Sequence, residues 1–141
     1  MNRGTRLEPH ARNLFQLEND IEVFPEVIVK DWAMASLDGL SACKTFAVEI
    51  KCPKTKKYHD MAKKGEVPAH YRAQLQHQMW VSELDSIHYY SFDGLEGAIV
   101  NVKRDDSYIE KLIEKEKIFY DCLMERNQEK IREVFDASLT E

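Results

Sequence analysis

Hydrophobic residues recur with the period of a helix in some segments and with the period of a strand in others. The order of these segments predicts the order of helices and strands along the chain. Apolar residues at helical spacing predict an amphipathic helix over residues 4–18. Residues 21–30 alternate and are β-branched, which indicates a strand, and Pro25 requires an edge position or a bulge there. Residues 31–40 can return as the hairpin partner, with Asp38-Gly39 at or near the far turn.

The middle of the chain continues with one strand and two helices. The segment FAVEIK, residues 46–51, predicts a third strand, and residues 55–64 predict a short helix. A second helix is predicted to begin at Pro68, because proline is favourable at the first helical position. Leu75 and Met79 mark one face of that helix.

The last third of the chain predicts a second hairpin and a long helix. Two apolar runs flank Asp93-Gly94, which is a favourable hairpin turn. Asp105 and Asp106 are N-cap candidates for a helix that extends to about Val134. With no repeat or linker between the elements, this order predicts a single α/β domain with a mixed sheet over residues 1–141.

Composition indicates a globular protein in a reducing compartment. Hydrophobic residues make up 43% and charged residues 32% of the 141 positions. No apolar run approaches the roughly 20 residues that span a bilayer, and the first residues lack a signal peptide, so no membrane association is expected. Three cysteines without C-x-x-C spacing argue against disulfides and a thiolate metal site. We therefore expect a cytoplasmic protein.

Charge is unevenly distributed along the chain. The formal net charge is −5, so a surface that binds a polyanion requires a local concentration of basic residues. One run has seven positive charges within 22 residues: Lys51, Lys54, Lys56, Lys57, Lys63, Lys64 and Arg72. Such a run indicates either a phosphate-binding surface or simply a solvated face.

The third strand carries the candidate chemistry. Side chains at i and i+2 of a strand share a face, so Glu49 and Lys51 point the same way. If Asp38 ends the neighbouring strand, its carboxylate can approach Glu49, and a hard divalent cation such as Mg²⁺ would relieve their repulsion. This arrangement is suited to phosphodiester hydrolysis. The alternative is a cross-strand ion pair worth roughly 0.2–1 kcal/mol.

Four segments stand in order along the chain: RGTRLEPHARNLF at residues 3–15, SLDGL at 36–40, EIKCP at 49–53 and YRAQLQHQMWV at 71–81. Together they resemble the lambda exonuclease and YqaJ family of phage-type recombination nucleases, within the PD-(D/E)xK superfamily. The first contains the family's Gly-x-x-x-Glu helix. The resemblance implies a restriction-endonuclease-like fold, a mixed central β-sheet flanked by helices. Relative to the family, the sequence lacks several dozen residues ahead of the first helix, including polar and basic side chains that grip the substrate phosphate.

The resemblance also implies roles for individual residues. Asp38 and Glu49 would bind the metal together with the Ile50 carbonyl, and Lys51 would be the catalytic lysine. The further implied site residues are Gln74 as the family's active-site glutamine, Glu8 as an additional metal ligand, and Lys54, Lys56, Lys57 and Arg72 as DNA phosphate contacts.

The residues alone leave other interpretations open for two of these positions. Glu8 could be a solvated acid favoured by the dipole of the first helix. Gln74 and Gln78, four residues apart on one helix face, could be a surface amide pair. Gln76 points elsewhere on that helix and is not expected in the site.

The function implied by the resemblance is Mg²⁺-dependent hydrolysis of linear double-stranded DNA from the 5′ end, with Mn²⁺ as a substitute. The implied partners are double-stranded DNA ends, a single-strand annealing protein and two further copies in a homotrimer. Two alternatives are a restriction-like or structure-specific endonuclease of the same superfamily and a catalytically silent DNA-binding or assembly module.

Overall fold

The computed structural model describes residues 3–139, and its elements follow the predicted order closely. In chain order they are α1 Arg3–Asn19, β1 Val23–Lys30, β2 Ala33–Ser41, β3 Ala47–Lys51, α2 Lys56–Lys63, a 3₁₀ turn Ala69–Tyr71, α3 Arg72–Ser82, β4 Ser86–Phe92, β5 Gly97–Lys103 and α4 Asp106–Leu139. Pro68 immediately precedes the 3₁₀ turn, so the helix predicted to begin there becomes regular only at Arg72.

The five strands form one sheet in the order β1-β2-β3-β4-β5. Strands β3 and β4 are parallel, and the other neighbouring pairs are antiparallel. A parallel pair requires a crossover connection, and α2 and α3 supply it between β3 and β4. The prediction of an α/β fold with a mixed sheet and flanking helices is therefore confirmed.

Strand β1 lies at the sheet edge, and its register with β2 shifts between Phe24 and Glu26. Pro25 occupies this irregularity, because it has no N–H to donate to the ladder. The predicted edge position and bulge are both found. Strand β2 continues to Ser41, so Asp38-Gly39 lies inside the strand near its end and not at the turn itself.

Apolar side chains cover both faces of the sheet. On one face, Ala11 and Phe15 of α1 pack in a cluster with Val48 and Ile50 of β3. On the other face, Leu75 and Met79 of α3 pack in a second cluster; its sheet residues include Leu37, Leu40, Ala47, Ile87 and Tyr89. Strand β3 therefore alternates between the two cores. Since Val48 and Ile50 face α1, Glu49 and Lys51 project toward α3, as predicted.

The chain divides into two compact units, residues 1–105 and residues 106–141. The first contains the whole sheet, and the second contains α4, which begins at Asp106 and extends five residues past the predicted end. The expectation of one domain over the full length stays a prediction. Among residues 3–139, no helix is both long and apolar enough to cross a membrane.

Candidate active site

Strands β2 and β3 separate beside Asp38. Their ladder contains only Gly39 opposite Val48 and Leu40 opposite Ala47. Past that point the Ile50 N–H donates to Oδ2 of Asp38 at 2.8 Å. The Asp38 carboxylate thus replaces a backbone partner and keeps the two strands apart. Because the N–H and C=O of one strand residue point to the same side, the Ile50 carbonyl also faces this gap.

Glu49 is a buried carboxylate held by two amides. Its side chain is 5% exposed, and its Oε1 accepts a hydrogen bond from Nε2 of Gln74 at 2.9 Å. Its Oε2 accepts one from Nε2 of Gln78 at 2.7 Å. Both glutamines lie one turn apart on α3, and Gln78 also donates to the Ser36 carbonyl at 3.1 Å. Hydrogen bonds to an ionised acceptor compensate for the loss of water around this charge.

Lys51 places its ammonium at the edge of this buried charge. Nζ lies 3.4 Å from Oε1 of Glu49, and it stands 4.5 Å from the centre of the Tyr71 ring. A lysine over an aromatic face gains a cation–π attraction of about 0.5–1 kcal/mol at exposed sites and more when desolvated. Tyr71 thereby restrains Lys51 next to the cleft.

Helix α1 places a third carboxyl group, that of Glu8, next to Asp38. The hydrogen bond that Glu8 shares with Asp38, together with burial, raises the pKa of Glu8 to about 7, although nearby Arg12 opposes the shift. Burial and the neighbouring charge of Glu49 raise the pKa of Asp38, whereas its hydrogen bond with Glu8 lowers it.

Arg12 fastens α1 to this edge of the sheet. Its Nε donates to the Asp38 carbonyl at 2.9 Å, and its Nη2 lies 3.4 Å from Oε1 of Glu8, one turn earlier in the helix. The guanidinium therefore fixes both the backbone that carries Asp38 and the carboxyl that faces it.

The three acids and Lys51 line an open cleft of about 380 Å³. Its walls are formed by Gly4, Glu8, Asp38, Glu49, Ile50, Lys51, Cys52, Pro53 and Tyr71. A larger cleft of about 740 Å³ lies near the end of α1, but none of the groups described above lines it.

The donor set of the cleft fits a hard divalent cation. Carboxylate and backbone carbonyl oxygens are the ligands that such ions take. Repulsion from a neighbouring carboxylate is one of the causes that raise the pKa values of Glu8 and Asp38, and a bound cation would relieve it. The structure thus brings together Asp38, Glu49, Lys51 and the Ile50 backbone, with Gln74 and Glu8 in contact with them.

The four residues predicted to contact DNA phosphates differ in their surroundings. Lys54, Lys56 and Lys57 are exposed, and the first two line a neighbouring cleft that shares Pro53 with the acidic one. Arg72 is also exposed, but its Nη2 donates to Oδ2 of Asp105 at 2.7 Å. Its guanidinium is therefore already engaged with an acid.

Sequence reasoning missed three residues that shape the site: Gln78, Tyr71 and Arg12. The signal for Gln78 was its spacing of four from Gln74, but the surface-pair interpretation does not hold, since Gln78 is 2% exposed. Arg12 similarly lies four residues after Glu8. Gln76 is buried outside the site, as expected, and bridges the Lys103 carbonyl and the Asp105 N–H.

Comparison with known proteins gives a consistent result. The family profile of the YqaJ-like viral recombinase domain matches residues 1–85. The crystal structure of an alkaline exonuclease (LHK-Exo) from Laribacter hongkongensis aligns with a TM-score of 0.77 and 28% identity, covering 94% of this chain and 74% of that one. The same enzyme in complex with dAMP gives the same score and identity, covering 94% and 73%.

A phage-related exonuclease from Haemophilus somnus is more distant. Its TM-score is 0.64 at 19% identity, covering 88% of this chain and 71% of that one, which supports the fold alone. A search of curated protein sequences gives no significant match.

Proposed function

The chain belongs to the YqaJ-like viral recombinase domain family, and we propose that it is a Mg²⁺-dependent exonuclease that degrades linear double-stranded DNA from the 5′ end. The observation that carries this proposal is the convergence of the Asp38 carboxylate, the Glu49 carboxylate and the Ile50 backbone beside Lys51 in one open cleft. The similarity to structures described as alkaline exonucleases supports it.

In this proposal Asp38, Glu49 and the Ile50 carbonyl hold Mg²⁺, or Mn²⁺ in its place, and Glu8 contributes directly or through water. When bound, the ion supplies a polarised phosphate oxygen and a water of lowered pKa. Gln74 and Gln78 keep the Glu49 carboxylate in one orientation, because each amide donates to one of its oxygens. A cation bound there would also relieve the repulsion between Glu8 and Asp38.

Lys51 acts on the reacting phosphate. Its ammonium stands at the cleft wall, where it can orient the attacking water or stabilise the negative charge that builds on the phosphoryl oxygens. Water adds to phosphorus as the bond to the leaving oxygen breaks, and that oxygen takes up a proton. Tyr71 limits the range of Lys51 by holding its ammonium over the ring.

Lys54, Lys56 and Lys57 are proposed to contact the DNA backbone, which gives affinity that depends on salt and not on sequence. Arg72 is paired with Asp105 through Nη2, so a phosphate would compete with that ion pair for its guanidinium. The single-strand annealing partner and the homotrimer remain predictions from the family resemblance.

The test is incubation of the full chain with 5′-phosphorylated linear duplex and with closed circular duplex, in Mg²⁺ or in EDTA. We expect nucleotides to be released from linear DNA only, and only with Mg²⁺. Glu49→Gln removes a ligand charge and Lys51→Met removes the ammonium while keeping the stem, so each should reduce the rate by about 10²-fold or more.

Matched controls separate chemistry from a general change in charge. Glu26→Gln on the exposed edge of β1 and Lys115→Met on the exposed side of α4 should retain the wild-type rate. Cleavage of closed circles would identify an endonuclease. No Mg²⁺-dependent release from a folded protein that still binds DNA would identify a silent binding module, and either result would reject the proposal.

A further inference from the structure

A second group of metal-binding side chains lies at α2, outside the candidate active site. His59 of α2 is 3% exposed, and its Nδ1 is 2.9 Å from Oγ of Ser91 in β4. Its Nε2 is buried and has no hydrogen-bond partner among the described residues. A buried polar nitrogen without a partner is costly, and such groups usually mark a bound water, an ion or a function.

Two acids from the turn between β4 and β5 face this nitrogen. Oδ2 of Asp93 lies 3.6 Å from Nε2 of His59, and Oε1 of Glu96 lies 3.8 Å from it. Both separations exceed a hydrogen bond. The orientation of Asp93 is fixed, because its Oδ1 accepts the N–H groups of Leu95 and Glu96 at 2.8 Å each. Oδ2 of Asp93 is on the side of the imidazole.

We propose that His59, Asp93 and Glu96 form a binding site for a divalent transition metal of the zinc class. One nitrogen and two carboxylate oxygens, all within 4.8 Å of one another, are a suitable ligand set for such an ion. With ligand bonds of about 2.0–2.2 Å, atoms at tetrahedral angles stand about 3.3–3.6 Å apart. The distances from Nε2 to the two carboxylate oxygens, 3.6 and 3.8 Å, are close to this range.

Ser91 and the adjoining cleft provide the other features of such a site. When Nδ1–H donates to Ser91, the lone pair of Nε2 points at the two acids, which is how a second hydrogen bond commonly orients a metal-binding histidine. A cleft of about 260 Å³ includes His59 and Asp93 in its lining, so a water can complete the coordination.

Lys63 is the competitor for this site. It lies four residues after His59 on α2 and forms an ion pair with Oε1 of Glu96. Metal binding would displace its ammonium from that oxygen. The bound ion would then join α2 to the β4–β5 turn, next to Lys54 and Lys56 of the same cleft. We infer a positioning role for the ion there, because the cleft holds none of the proposed catalytic side chains.

The experiment uses the full chain carrying Asp38→Asn and Glu49→Gln, so that zinc binding at the proposed catalytic centre does not interfere. Titration calorimetry with Zn²⁺ and the visible absorption of bound Co²⁺ report the second site. We expect one high-affinity ion per chain, with a Co²⁺ spectrum of low coordination number. His59→Gln and Glu96→Gln should each weaken binding at least about tenfold, and Lys63→Met should strengthen it.

His10→Gln, at an exposed position of α1, is the matched histidine control and should bind as the background protein does. Because Glu96 is exposed, Glu96→Gln should fold, and it tests the proposed metal site even if His59→Gln fails to fold. Absence of zinc binding, or equal affinity in Glu96→Gln and His10→Gln, would overturn the proposal. Because the background lacks two catalytic ligands, the outcome does not depend on whether the chain is a nuclease.

Discussion

At the scale of single residues, Glu49 stands out because its charged side chain is buried. A carboxylate on a side chain that is 5% exposed requires compensation, and two glutamine amides and Lys51 supply it. The compensation is itself incomplete, since Oε1 of Gln78 is buried without a hydrogen-bond partner among residues 3–139. Because the buried amide oxygen of Gln78 has no hydrogen bond, we do not attribute the presence of Gln78 to a gain in stability. We attribute it to the positioning of Glu49.

Gln78→Met tests this positioning role with a side chain of similar volume. The variant loses the donors to Glu49 and to the Ser36 carbonyl, so the affinity for Mn²⁺ measured by calorimetry should fall by about 10- to 100-fold. Gln76→Met is the matched control, because Gln76 is equally buried but bonds to Lys103 and Asp105. If both variants bind Mn²⁺ as the wild type does, Gln78 has only a structural role.

Prediction at this scale succeeded where a short-range rule applied. The shared face of Glu49 and Lys51 follows from the two-residue period of a strand, and the alternation of Val48 and Ile50 confirms it. Gln78 was not identified because the period of a helix shows which way a side chain points but not how deeply it is buried. Tyr71 had no signal, since its contact with Lys51 depends on how the 3₁₀ turn meets the sheet.

At the scale of elements, the separation of β2 from β3 creates the cleft. The ladder ends at Gly39 and Val48, and the Asp38 side chain takes the next backbone donor. The sequence predicted both strands but not this register, because register depends on pairing that no local pattern specifies fully. Gly39 permits the arrangement, since a Cβ there would lie 2.6 Å from Cγ2 of Val23 and 2.7 Å from Cγ1 of Val48.

Gly39→Ala should therefore destabilise the protein by about 1–3 kcal/mol, the usual cost of overpacking a core, as measured by urea unfolding. Gly65→Ala is the comparison. A Cβ at that position meets nothing within 4 Å, and its φ of 81° costs about 1–2 kcal/mol of backbone strain alone. Only Gly39→Ala should also lower Mn²⁺ affinity, because Asp38 is its neighbour. Unchanged Mn²⁺ affinity in a destabilised Gly39→Ala would contradict the link between this packing and the cleft.

At the scale of the whole molecule, the fold and family could be predicted because four motif segments occur in order over most of the chain. The profile match over residues 1–85 and the exonuclease structures confirm the family and the fold. The group of His59, Asp93 and Glu96 could not be predicted, because His59 lies far from the two acids in sequence and meets them only when α2 packs beside the β4–β5 turn. Lys54 and Lys56 line a cleft that shares Pro53 with the acidic one, and their contact with DNA stays a prediction.

The most direct test of the central claim is an anomalous difference map from crystals of the full chain soaked in Mn²⁺. The account predicts a peak about 2.0–2.3 Å from a carboxylate oxygen of Asp38, from one of Glu49 and from the Ile50 carbonyl. Its absence from a Glu49→Gln crystal would confirm that the peak depends on this carboxylate. A well-soaked wild-type crystal with no peak among these three groups would contradict the account.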